Sequence, residues 1–115
     1  MNKIRLVINN EAKKNEREKF FIKKELQSIL NLYAKMVSNG TWKDYSFTSG
    51  IKEVSFNVYQ RASEKPVLRI LKNLRPKYFN EKYLIKDKNG AILKKSENLN
   101  KLINKTSWNK LKLVK

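Results

Sequence analysis

Apolar residues recur at Ile22, Leu26, Ile29, Leu30, Tyr33, Met36 and Val37, the spacing of one stripe along an amphipathic helix. Ser38, Asn39 and Gly40 predict its end, because a glycine just past the last turn adopts the left-handed conformation that lets the final carbonyls be bonded. Beyond the glycine the period drops to two. Tyr45 and Phe47 alternate with Ser46 and Thr48, and Val54, Phe56 and Val58 alternate with Ser55, Asn57 and Tyr59, with Ser49 and Gly50 as turn residues between two antiparallel strands. A third strand is predicted at Pro66–Lys72, with Leu68 and Ile70 on one face and Val67, Arg69 and Leu71 on the other; proline is tolerated at a strand's start. Asn73 to Lys82 reads as an irregular basic loop.

Asp87, Lys88, Asn89 and Gly90 suit a type I turn followed by a left-handed glycine, a hairpin with a three-residue loop. That register pairs Asp87 with Ala91 and gathers Tyr83, Ile85, Ala91 and Leu93 on one face, whereas a two-residue loop would set Ile85 against Lys94; the apolar match favours the longer loop. Ser96, Glu97 and Asn98 offer an N-cap to a short helix through Leu99, Leu102 and Ile103. At the start of the chain, residues 3–8 alternate as a short strand and Asn9 to Lys19 is a polar run without an apolar face. The expected organisation is an N-terminal strand and mobile arm over 1–19, one α+β domain over 20–105, and a tail or last strand over 106–115. The expected fold is α+β: an antiparallel sheet of about five strands, one long amphipathic helix packed on one face, and a short C-terminal helix.

Composition narrows the chemistry. The chain of 115 residues has no cysteine and no histidine, which removes disulfides, thiolate nucleophiles, Cys/His metal sites and the usual neutral-pH proton shuttle. No cofactor is expected. The apolar run at the start is too short for a signal peptide and nothing else approaches a membrane span, so a cytoplasmic protein is expected. The formal net charge is +17, the balance of a protein that meets a polyanion. Part of that charge reflects an AT-rich codon bias, since lysine, asparagine and isoleucine abound while Arg5, Arg17, Arg61, Arg69 and Arg75 are the arginines. Position therefore matters more than total charge.

Several segments resemble an uncharacterised alphaproteobacterial family, domain of unknown function number 2794, over a span from Phe20 to Ile103. They are Leu32-Tyr33 to Met36-Val37, the GTWKDY run from Gly40 to Tyr45, and above all FNVYQRASEKP from Phe56 to Pro66. Arg69-Ile70, Arg75-Pro76-Lys77 and Ile92-Leu93-Lys94 resemble its later segments. The resemblance implies a bacterial, cytoplasmic, compact domain and carries over no catalytic residue. In one respect the chain departs from the family, which usually begins its long helix with an aspartate. Here Ile22 is followed by Lys23 and Lys24, so an N-cap is lost and two cations sit at the positive end of the helix dipole.

Asp44, Arg61, Ser63 and Glu64 are the residues an enzyme would need to converge near strand ends. Ser63 has no histidine to activate it, so Asp44, Arg61 and Glu64 read better as a structural polar corner between strands. Trp42 is expected to fold back over the helix end and pack, and Trp108 is either core or a stacking platform. The strongest local signal is the run from Arg69 to Lys95. Arg69, Lys72, Arg75, Lys77, Lys82, Lys86, Lys88, Lys94 and Lys95 stand there against Glu81 and Asp87, with Tyr78, Phe79 and Tyr83 interleaved. Cations that neutralise phosphates beside aromatics that stack on bases are the division of labour in nucleic-acid grooves. The expected function is non-enzymatic, sequence-independent binding of nucleic acid, DNA or RNA, through that surface. The competing expectation is a module for an acidic protein partner, with the charge largely codon bias.

Overall fold

Helix α1, Lys23–Ser38, starts at Ile22, which supplies no side-chain oxygen as a cap. Glu25 substitutes in part, because its carboxylate accepts the Ile22 N–H at 2.8 Å. At the other end Gly40 takes φ +81° and donates to the Val37 carbonyl, while Thr41 donates to Met36. This is the paired closure expected of a glycine placed after the last turn. The computed structural model describes residues 19–61 and 65–108; the readings made for residues 3–8, the arm up to residue 18, Ser63, Glu64 and the tail from 109 fall outside them.

Strands β1 (Asp44–Ser49), β2 (Glu53–Tyr59), β3 (Leu68–Asn73), β4 (Tyr83–Asp87) and β5 (Ile92–Ser96) form a five-stranded sheet in sequence order. Every neighbouring pair is antiparallel. A short 3-10 turn, Phe79–Glu81, interrupts the β3–β4 connection, and helix α2, Leu99–Lys105, follows the last described strand. Asn98 caps α2 by accepting the Lys101 N–H at 2.9 Å. The fold is therefore α+β, with five antiparallel strands and two helices among the described residues.

Period-two alternation sorts the sheet into two faces. Val54, Phe56 and Val58 of β2 pair across to Lys72, Ile70 and Leu68 of β3, and Ile70 and Lys72 in turn to Ile85 and Tyr83 of β4. The apolar members of this set form one buried cluster with Ile29, Leu32 and Met36 of α1 and with Leu99 and Leu102 of α2. Trp42 and Trp108 belong to it too, edge to face with centroids 5.8 Å apart, and the Trp108 indole donates to the Ile103 carbonyl. Both tryptophans are thus packing residues.

Three details differ from the periodicity reading. In α1 the buried positions are Glu25, Ile29, Leu32 and Met36, whereas Leu30 and Val37 are each 39% exposed. The apolar stripe is wider than the core needs, and the helix is rolled toward its Glu25–Leu32 side. The β4–β5 hairpin has the expected three-residue loop, with Gly90 at φ +86° and Asp87 bonded to Ala91, but Ile85 nevertheless lies opposite Lys94. A bulge between Ile85 and Lys86 accounts for this: it sets an extra residue into β5, and Leu93 still reaches the core while Ala91 stays exposed. Lys72, finally, faces the core.

Candidate nucleic-acid interface

The second face of the sheet carries Ser46 and Thr48 of β1, Ser55 and Asn57 of β2, Arg69 and Leu71 of β3, and Leu84 and Lys86 of β4. Its polar residues are wired together. Asn57 donates to Ser46 at 3.1 Å and to Thr48 at 2.9 Å, and its carbonyl oxygen accepts from Ser55 at 2.8 Å and from Arg69 Nε at 3.1 Å. The Arg69 guanidinium also reaches the Ser55 hydroxyl at 3.4 Å. Asn57 and Ser55 are 3% and 1% exposed, so the arginine is held by a buried amide and hydroxyl and not by an acid. A guanidinium has five N–H donors, and this arrangement uses two of them.

Arg69 sits directly opposite Lys86 on β4. Like charges paired across two strands repel, which costs stability unless an anion lies between them. Among the described residues neither forms an ion pair; the pairs there include Glu25–Lys72, Glu81–Lys95 and Glu97–Lys101. Arg69, Lys65, Lys88 and Asn89 border an open concavity of about 470 Å³ between β2 and the β4–β5 loop, with Thr48, Asn57 and Tyr59 also on its wall. Asp87 borders it as well, with one carboxylate oxygen, Oδ1, accepting the N–H groups of Asn89 and Ala91, each at 2.9 Å.

Apart from Lys72, the residues of the basic run are therefore divided among three places. Arg69, Lys86 and Lys88 gather at the hairpin end of the second face. Arg75, Lys77, Tyr78 and Lys82 lie in the β3–β4 connection at the opposite end of β3, about 13 Å away along a strand. There Lys77 lies over the Tyr78 ring and Lys82 over the Tyr83 ring, at 5.7 and 5.6 Å, and Tyr78 and Phe79 are 57% and 76% exposed. Lys94 and Lys95 are exposed on the edge strand β5, with Lys95 3.5 Å from Glu81.

Lys72 is in the interior and belongs to no surface, which corrects its inclusion in the basic face. Its ammonium donates to Glu25 at 2.9 Å and to the Phe20 carbonyl at 2.9 Å, and the Tyr83 hydroxyl donates to the other Glu25 oxygen. Burial, then the hydrogen bond and charge of Glu25, hold the Tyr83 phenol well above its ordinary pKa. Periodicity could have found Lys72, since it follows Leu68 and Ile70 at the spacing of one strand face; nothing local marked Glu25 as its partner.

The expected polar corner is described only in part. Asp44 accepts its neighbour Tyr45 N–H at 2.8 Å, Arg61 is exposed and partnered, and Glu64 lies outside the described residues. Among the described residues no acidic cluster is placed to hold a metal ion, and no helix is long and apolar enough to cross a membrane. The small pocket between Met36, Trp42, Leu68 and Trp108 holds about 10 Å³, too little for a ligand.

Fold and surface together define a small α+β protein whose sheet carries on its second face buried Ser55, Asn57, Leu71 and Leu84, with Arg69 and Lys86 half-buried at its hairpin end. The chain belongs to the family described as Protein of unknown function (DUF2794), whose model matches residues 19–103. No curated protein and no solved structure matches it.

Proposed function

We propose that this protein binds nucleic acid through its phosphates, without reading sequence and without catalysis, on the second sheet face at the hairpin end. The observation that carries this reading is the Arg69–Lys86 pair: two cations directly opposite each other, one of them oriented by buried Asn57 and Ser55, with no acid among the described residues paired to either. A polyanion removes the repulsion and uses the remaining guanidinium donors. Lys65 and Lys88 extend the positive field around this pair, and Arg75, Lys77 and Lys82 continue it at the far end. Asn57, whose amide and carbonyl are both engaged inside the protein, has nothing left with which to read a base. Lysine contributes as a flexible point charge, so base identity matters little.

Tyr78 and Phe79 lie away from the Arg69–Lys86 pair, and Tyr59 on the concavity wall is tied to Ser46 through its hydroxyl at 3.0 Å, so stacking is secondary to charge. Anisotropy titrations of a labelled oligonucleotide test the reading. With about four to six phosphates bound, log affinity falls against log salt with a slope of roughly −3 to −5. Affinities that differ strongly between unrelated sequences, or that ignore salt, would contradict it.

A further inference from the structure

We propose that the outer edge of β1, unpaired among the described residues, with the apolar stripe of α1 beside it, is a docking site for an extended acidic peptide segment of another protein, which adds a strand to the sheet. β1 ends the strand order and has β2 as its one neighbour among the described residues, so its outer backbone groups, apart from the Tyr45 N–H that Asp44 holds, are a template for pairing. Helix α1 supplies the side-chain half of the site. Its Ser28 hydroxyl donates to Asn100 on α2, which fixes one flank toward the β5 side. Tyr33 fixes the other toward β1: its ring lies 4.7 Å from that of Tyr45 and its hydroxyl donates to the Lys43 carbonyl. Leu26, Leu30, Tyr33 and Val37 follow one another at helical spacing on that flank.

Leu30 and Val37 are 39% exposed and Tyr45 is 40% exposed, and Ile51, in the turn that follows β1, is 86% exposed. Four large apolar residues thus border a single sheet edge, where an added strand would bring alternate side chains against them. An open edge beside an apolar shelf is matched by extended backbone with apolar residues at every second position. Charge selects the occupant. Lys43 and Lys52 are exposed around the site, whereas its one exposed acid among the described residues, Asp44, already holds the Tyr45 N–H. A second copy would bring two chains of net charge +17 edge to edge, so an acidic segment of a different protein fits.

The test uses the full chain and a synthetic peptide alternating valine with glutamate, followed by amide NMR, with a peptide of the same residues in two blocks as control. The alternating peptide is expected to shift and protect the amides of Asp44–Ser49. Leu30→Ser/Val37→Ser, at exposed positions, should weaken it about tenfold, a difference of about 1.4 kcal/mol, while leaving oligonucleotide affinity unchanged. Ile51→Ser provides a second variant outside the helix, with a smaller loss expected. The proposal is overturned if the block peptide binds equally well or if the shifts fall only on Arg69–Lys95. Edge amides already protected in the free protein, or a dimer in sedimentation, would show that the chain itself or a second copy takes the edge, and would overturn it too.

Discussion

Glu25, Lys72 and Tyr83 show how a polar group is accommodated in an apolar core. Each would be costly to bury alone; together, with Phe20 and Ile22, they satisfy one another. Glu25→Gln removes the carboxylate that the buried Lys72 ammonium and the Tyr83 hydroxyl share, and is expected to cost about 3 kcal/mol in urea unfolding. Glu25→Gln/Lys72→Met should recover most of that loss; a single variant as stable as the parent would remove the ion pair from the account. Tyr83 gives a pH signature. Its native pKa is raised, so the folded chain keeps a proton that the unfolded chain releases near the ordinary phenol value of about 10. Its contribution is complete below that pH and declines as pH rises above it. Tyr83→Phe should therefore lose stability more gradually than the parent above about pH 10, where a free phenol ionises, in unfolding curves taken across that range. At this scale the sequence was half legible: Lys72 follows Leu68 and Ile70 at the spacing of one strand face, yet the local charge excess counts it with the basic surface, and its partner stands far away in the chain, where no spacing rule reaches.

Element by element, periodicity identified α1, the strands of both hairpins and the capped α2, because each depends on neighbours a few residues apart. It could not say how far α1 is rolled. Leu26, Ile29, Leu30, Tyr33, Met36 and Val37 span more of the helix than the sheet covers, and Leu32 completes the buried side. Ile29→Asp should abolish cooperative unfolding, because Ile29 is fully buried, whereas Leu30→Asp should cost no more than about 1 kcal/mol as a surface change. Equal damage from both would return the helix to the orientation that periodicity alone suggests. The bulge opposite Ile85 was equally hidden: the turn chemistry of Asp87–Gly90 sets the loop, but the demand of Leu93 for the core decides the register two residues further on.

At the scale of the whole molecule, a basic run that is continuous in sequence is folded into separate groups, because each hairpin reversal sends its neighbours to opposite ends or faces of the sheet. The cross-strand meeting of Arg69 with Lys86 was not legible, since it depends on the register of β3 against β4. Placing like charges together lowers stability, which the proposed binding would offset, and experiment can separate the two effects. Lys86→Glu should stabilise the fold by about 0.5 kcal/mol through a cross-strand pair with Arg69, and should weaken oligonucleotide binding at the same time. The most direct measurement compares two variants of equal net charge by salt-dependent anisotropy: Arg69→Gln/Lys86→Gln on the second face, and Lys35→Gln/Lys105→Gln on the helices. The first pair should flatten the salt slope by about 0.7 to 0.9 for each phosphate no longer neutralised and weaken binding to all sequences alike, while the second leaves both nearly unchanged. Equal effects from the two pairs, or no binding by the parent at low salt, would contradict a nucleic-acid surface on this face.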